Sequence, residues 1–555
     1  MRLLLAVLVF CSASLPAAVE VNDPNADTLI IGRIHPIAGD AKTVTAMAFD
    51  AGGRVLAVGD AAALRTQLMA RERGLREVVV DGTVIPGLID AHGHLLNLGL
   101  SLLRADLNGT REPAEIYARL REKAGAGPRG VWLIGRGWDQ NDWPEPAFPS
   151  AKDLDRHFSE QPVWLERVDG HAGWANSKAL KRAKIDASTP DPVGGKILRD
   201  ASGQPTGILV DSAMGLVEKV LPKLDRDLRR RALRLAFQQA TAAGLTGVHD
   251  AGVSRAELAL FRELADNGEL PLRVYAMADG DGDALADLCR KGAYRHASGR
   301  LQMRAVKLYA DGALGSRGAA LLADYADDKG NQGLLIQPAE KLAAAIAKTV
   351  GCGMQPAVHA IGDRGNRIVL DALAALDPAK RKRVRPRIEH AQVVALSDIP
   401  RFAALDVIAS MQPTHATSDM PWALARVGAE RLRGAYAWRR FLDAGVRLAL
   451  GSDFPVERVD PLIGIYAAVS RQDAQGQPAE GWLPDQRLSI AEALDGFTRG
   501  AAYAGFAEDQ VGTLEVGKAA DFVVLSVDPH IVRGRALLAV KVRSTWVGGK
   551  RVWSQ

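Results

Sequence analysis

Eight short apolar runs, each closing on a polar or charged residue, constrain this chain more than any other feature. They lie at Thr83–His94, Gly247–Asp250, Leu272–Ala278, Arg304–Ala310, Gln355–Ile361, Arg387–His390, Val407–Gln412 and Arg447–Asp453. The segments between them are rich in Ala, Leu and Arg at helical spacing, as in Lys341–Val350 and Arg364–Leu376. Strands that alternate with helices lie parallel in a layered α/β fold. Eight such units predict a (β/α)8 TIM barrel, whose site sits where the strands end. The polar residues fall at those ends. Leu95 to Thr246 breaks the alternation and reads as a large insertion after the first strand.

Both chain ends are β-like. Short runs separated by glycines fill Thr28 to Val84, and a second β-rich piece covers Asp521–Ser526 and Val540–Trp553. Neither end holds enough strands for a stable sheet alone, so together they predict one small β-sandwich. The expected division is sandwich at 19–83 and 511–555, barrel at 84–510, and an insertion or lid at 95–246. Five of the ten tryptophans, Trp132, Trp138, Trp143, Trp164 and Trp174, crowd into that insertion. They read either as the core of a lid or as an aromatic wall for an apolar substrate group.

Composition narrows the partners. Apolar residues at 47% and charged residues at 24% exclude a disordered chain, a collagen-like fibre and a disulfide scaffold. Lysine plus arginine minus acids is 70 − 65 = +5, spread without a basic block, which argues against nucleic acid. Met1-Arg2, the apolar run Leu3–Phe10 and the small pair Ala17-Ala18 read as an export signal over 1–18, giving a periplasmic or secreted protein. A lipoprotein anchored at Cys11 ranks second, because bulky Phe10 sits where a small residue is wanted; a buried first element ranks behind it. The run is too short to span a bilayer, and no other stretch could. Cys289 and Cys352 could pair, and no Cys-x-x-Cys motif exists.

The strand ends carry the chemistry. His92 and His94 are two apart, so on a strand both imidazoles face one point, which suits zinc or a similar divalent ion. His359, His390 and Asp453 end later strands predicted to converge on the same place. Lys307 lies inside an apolar strand, where a bare ammonium is costly. It either meets a carboxylate or is carboxylated by carbon dioxide to a carbamate that can bridge two metal ions.

The ordered set His92-x-His94, Lys307, His359, His390 and Asp453 resembles the amidohydrolase superfamily. Lys307-Leu-Tyr-Ala-Asp-Gly-Ala-Leu-Gly-Ser-Arg317, His359-Ala-Ile-Gly-Asp and Gln412-Pro-Thr-His415 are similar to its branch around N-substituted formamide deformylase. The resemblance implies that His92, His94 and Asp453 hold one ion, that His359 and His390 hold a second, and that carboxylated Lys307 bridges them. One or two zinc ions are expected, other divalent metals being open. It further implies hydrolysis of a non-peptide carbon–nitrogen bond in a small-molecule amide, such as an N-formyl or N-acyl amine, by metal-activated water. Asp453 would take the water proton and pass it to the leaving nitrogen, or serve as ligand alone. A lactonase, a dipeptidase and a non-catalytic binding relative are the alternatives. A homo-oligomer is left open.

Weaker candidates complete the set. His171, in a segment resembling one that closes over the site, could contact substrate or cap a turn, with Trp174 beside it as a substrate-facing aromatic. His415 could bind the tetrahedral oxygen or support a ligand. Arg317 could orient a substrate carbonyl or carboxylate, or make an interdomain salt bridge. His249 reads as support beneath the ligands, and His35, His157, His296 and His530 as surface.

Overall fold

A computed structural model describes residues 26–71, 73–124 and 131–555. The leader read at 1–18 lies outside the described residues. Among these residues the chain forms three sheets. The central one is a barrel of eight parallel strands: β1 (Leu88–Gly93), β2 (Leu245–Val253), β3 (Arg273–Asp279), β4 (Leu301–Tyr309), β5 (Gln355–Ala360), β6 (Arg387–His390), β7 (Ile408–Met411) and β8 (Leu448–Leu450). Neighbours pair in sequence order from β1 to β8. A parallel bridge between Gly93 and Phe454 brings the last strand back to the first. The Asp453 and His94 amides reinforce that seam, donating to the His92 carbonyl (2.7 Å) and the Phe454 carbonyl (2.9 Å).

The expected first strand is two elements. Leu75–Pro86 belongs to the terminal sheet, and the barrel strand begins only at Leu88. Gly87 marks the crossing: a Cβ there would come within 2.2 Å of the Thr246 hydroxyl, so only glycine lets β1 and β2 approach.

The terminal sheet has seven strands drawn from both chain ends. Strand Phe522–Leu525 from the C-terminal part pairs antiparallel with Leu75–Pro86 from the N-terminal part. Strands Val44–Phe49 and Val542–Val547 lie four places apart in that order, which is about 19 Å in a flat sheet at ~4.8 Å per strand. Phe49 and Trp546 nevertheless pack with ring centres 6.5 Å apart. The sheet therefore curls over, and its two ends enclose one apolar core. His35 and His530, read as surface, are interior here. Both imidazoles meet the Asp528 carboxylate at 3.0 Å, and their other nitrogens reach the Asp40 and Ala38 carbonyls.

The stretch read as one insertion over 95–246 is three pieces. Helix Leu95–Leu103 and helix Arg226–Ala242 pack on the barrel, their Leu95, Leu98, Leu233 and Phe237 joining its core. Between them, strands from Ala105 to Asp211 form a separate six-stranded sheet. Its core holds the five tryptophans, which settles their role as lid core. Cys289 and Cys352 form a disulfide between adjacent barrel helices, with Cα atoms 5.0 Å apart.

Candidate metal centre and cleft

The C-terminal mouth of the barrel collects the predicted donors. His92 ends β1, and His94 follows as the residue preceding helix Leu95–Leu103. Asp453 follows β8 with φ of +61°, a strained conformation for an aspartate of the kind found at functional sites. Asp453 Oδ1 lies 3.0 Å from His94 Nε2 and 3.6 Å from His92 Nε2. The opposite nitrogens are tied down: His92 Nδ1 meets Glu389 Oε2 at 2.5 Å, and His94 Nδ1 donates to the Ala251 carbonyl at 2.9 Å. Each ring is thereby turned so that Nε2 faces the carboxylate, the arrangement that orients metal-binding imidazoles.

Glu389 is held in turn by Arg387, which donates to both of its oxygens and also to the Ala91 carbonyl and Ser410 Oγ. Burial alone would raise the Glu389 pKa, but the charges of Arg387 and His92 hold it well below the carboxylate range. Sequence reasoning missed this pair. Arg387 and Glu389 are charged residues two apart in an apolar strand, and the burial argument that singled out Lys307 applies to them equally. His249 lies beneath, its Nδ1 2.9 Å from Arg387; burial and then that guanidinium hold it far below the usual histidine range.

Lys307 is buried in β4 with Nζ 3.1 Å from His92 Nε2. Burial lowers its pKa to about 8, while burial and the Lys307 charge bring His92 down to about 4. His359 and His390 pack with ring centres 4.6 Å apart. His390 Nδ1 donates to Gln412 Oε1 at 2.8 Å, and His359 Nε2 faces the Gly312 carbonyl at 3.3 Å. His415, in helix Pro413–Asp419, brings Nε2 to 3.7 Å from Asp453 Oδ2. Burial would raise Asp453 too, yet the His94 hydrogen bond and the His92 and His390 rings keep it ionised, well below its ordinary value.

His359, His390, His415 and Asp453 line the floor of a cleft of about 860 Å³. The lid roofs it with Arg167, Asp169 and His171, so His171 does reach the barrel mouth. His171 Nδ1 lies 2.6 Å from Asp211 Oδ1, and its ring is 5.1 Å from that of His359. The loop after β4 wraps this lid carboxylate closely: a Cβ on Gly312 or Gly318 would come within 2.4 or 2.5 Å of Asp211 Oδ2. Two sequence-predicted substrate residues lie elsewhere. Arg317 turns to Asp327 at 3.0 Å, outside the cleft lining. Trp174 is wholly buried in the lid, its indole N–H donating to the Ser150 carbonyl at 2.9 Å. An indole with its own carbonyl acceptor and an aromatic core around it has no reason to face the cleft. Trp422 is the aromatic that lines it.

The profile of the amidohydrolase family matches residues 80–553. This chain belongs to the amidohydrolase family. The amidohydrolase is 30% identical to N-substituted formamide deformylase of Arthrobacter pascens over 516 residues, covering 90% of this chain and 93% of that one. It is 35% identical to Protein LONG AFTER FAR-RED 3 of Arabidopsis thaliana over 523 residues, covering 90% and 87%. It also superposes, with a TM-score of 0.73 and 28% identity, on the crystal structure of an uncharacterized metal-dependent hydrolase from Pyrococcus horikoshii, covering 91% and 98%. Family membership and this likeness support a hydrolase, and the donors at the barrel mouth fit a metal ion. His92, His94 and Asp453 offer ligand atoms all within 4.8 Å of one another, and the residues behind them leave those atoms facing inward. Among the described residues no helix is long and apolar enough to cross a membrane.

Proposed function

We propose that the amidohydrolase cleaves a non-peptide carbon–nitrogen bond in a small N-formyl or N-acyl amine, with zinc held by His92, His94 and Asp453. The observation that carries this reading is the His92–His94–Asp453 set, braced by Glu389, with Asp453 lining the cleft. Likeness to a formamide deformylase along 93% of its length supports the choice of bond. A bound divalent cation supplies Lewis acidity and lowers the pKa of water from 15.7 to about 7. Everything else is the work of side chains. Asp453, ionised at neutral pH, accepts the proton of the attacking water on Oδ2 and returns it to the departing nitrogen. His415 and His171 face the same space from floor and roof, placed to bind the substrate oxygen and the leaving group. Lys307 must not stay cationic beside these donors. With its pKa lowered to about 8, part of the amine is neutral near pH 7, the form that reacts with carbon dioxide, so we read it as a carbamate.

The test is a panel of N-formyl amines, N-acyl amines, N-acyl amino acids and lactones, run on chelated protein and after zinc is restored. Zinc-dependent release of amine supports the reading; turnover confined to lactones sinks it. Export is proposed on the 1–18 pattern and on the Cys289–Cys352 disulfide, since such bonds persist in oxidising compartments. The N-terminus of protein from its native host checks this, and an intact Met1 would contradict it.

A further inference from the structure

Gln392, just past β6, lines the cleft, and both hydrogens of its Nε2 are spent. They go to Asp419 Oδ2 at 2.8 Å and to the Tyr436 hydroxyl at 2.9 Å. The Tyr436 hydroxyl donates in turn to Asp419 Oδ2 at 2.7 Å, so this carboxylate accepts twice. The amide cannot turn over, since that would set its oxygen against the carboxylate. Its Oε1 is left as an acceptor with no partner among the described residues, on a side chain only 5% exposed. A buried polar group left open on a cleft wall points to a donor that arrives with the ligand.

The charges around Gln392 say which donor. Glu457, in the loop after β8, lines the same cleft, and Ser418 donates to it at 2.5 Å. Asp142 of the lid acts on Glu457, and Asp139 acts on Asp419. Burial, joined by these like charges, raises the pKa of Glu457 and lifts that of Asp419 far above its ordinary value. A cation lodged among them removes that cost. The cations that line the cleft are committed elsewhere. Arg167 pairs with Asp139 and Asp169, Arg458 is exposed and acts on Asp460, and Arg104 answers Glu166 and Glu218.

We infer that this part of the cleft receives a cationic nitrogen of the substrate, so that the amide cleaved is that of an N-acylated diamine. This rests on the proposed hydrolysis of a carbon–nitrogen bond and adds the class of amine to it. An ammonium brings three N–H donors and one charge. Gln392 Oε1 takes a donor, while Glu457 and Asp419 supply the countercharge. Glu457 also acts on His415 and Asp453, so the ammonium lies a short chain away from the amide that Asp453 serves. A neutral substituent leaves the Gln392 acceptor unmet, and an anionic one meets like charge. Gln392 and Glu457 thus set specificity and take no part in the proton transfers.

The experiment compares three acetamides of matched length on the full-length, zinc-loaded protein: mono-N-acetylated diaminobutane, uncharged N-pentylacetamide and the carboxylate N-acetyl-γ-aminobutyrate. The diamine derivative should have the highest kcat/KM. Its lead over N-pentylacetamide should be at least about tenfold, the lower end of what a hydrogen bond to a charged group is worth. Its KM should rise with salt while that of N-pentylacetamide stays level, a readout that needs no variant. Glu457→Gln should pull the ratio of the two kcat/KM values towards one, and Glu457→Lys should move the preference to the carboxylate. Zinc content at the wild-type level shows that each variant is folded. The assignment is overturned if the wild type prefers the uncharged or the anionic amide, if salt leaves the preference untouched, or if folded Glu457→Gln keeps it in full. Turnover of N-pentylacetamide at an equal rate leaves carbon–nitrogen hydrolysis standing and removes the cation site. Failure to hydrolyse any of the three amides fails the proposed function itself.

Discussion

The barrel mouth and the lid are built from opposite materials. The mouth concentrates charge where burial is expensive: Lys307, Arg387, Glu389 and Asp453 are all buried. Each is tolerable because a neighbour answers it, Glu389 lying between His92 and Arg387. The lid buries aromatic surface. Trp138, Trp143 and Trp174 pack edge to face or tilted with centres 5.9–6.5 Å apart, and the Trp138 and Trp174 N–H groups are spent on carbonyls. The contrast teaches that polar residues mark the chemistry and tryptophans mark the fold. The lid carries polarity into the cleft through residues such as Asp139, Arg167, Asp169 and His171.

Four variants can break or sharpen that contrast. Asp453→Asn should lower kcat by roughly 10²–10⁴-fold, the usual worth of acid–base catalysis, with the melting temperature little changed. Near wild-type turnover at full metal content would reject its role. Trp138→Ala should act the other way, lowering stability by about 3–5 kcal/mol in denaturant unfolding through a cavity in the lid core. Zinc content should stay at the wild-type level, and a loss of metal here would mean the two regions are not separable. Glu389→Gln keeps the shape behind His92 but removes the charge, and should weaken zinc about 10- to 100-fold. Unchanged affinity would show that Glu389 serves packing alone. Arg317→Ala should do least. Its pair with Asp327 is partly exposed and worth at most about 1 kcal/mol, and turnover should be unaffected. A clear rise in KM would return Arg317 to the substrate.

Much of the barrel was legible because periodicity reports local burial. A strand buried on both faces reads as a short apolar run, and its first exposed turn reads as polar residues. His92, His359, His390 and Asp453 were found that way. The boundaries were less legible. Val84–Pro86, the end of Leu75–Pro86, runs on into Leu88 and Ile89 without a polar break, and only the crossing at Gly87 assigns them to different sheets. Helices Leu95–Leu103 and Arg226–Ala242 flank the lid in sequence but pack on the barrel, which their spacing alone does not say.

The sequence by itself determined that eight parallel strands would present histidines, a lysine and an aspartate at one end, and that both termini would share a sheet. Both follow from side-chain period and strand count, which are local properties. Tertiary structure decided which nitrogen of each histidine faces inward. That choice depends on a partner such as Glu389, 297 positions from His92. It also sent Arg317 to Asp327, gave Trp174 to the lid core, and set His171 over the cleft against Asp211. A side chain's direction follows from the contacts that satisfy it, and those contacts exist only once distant segments have met.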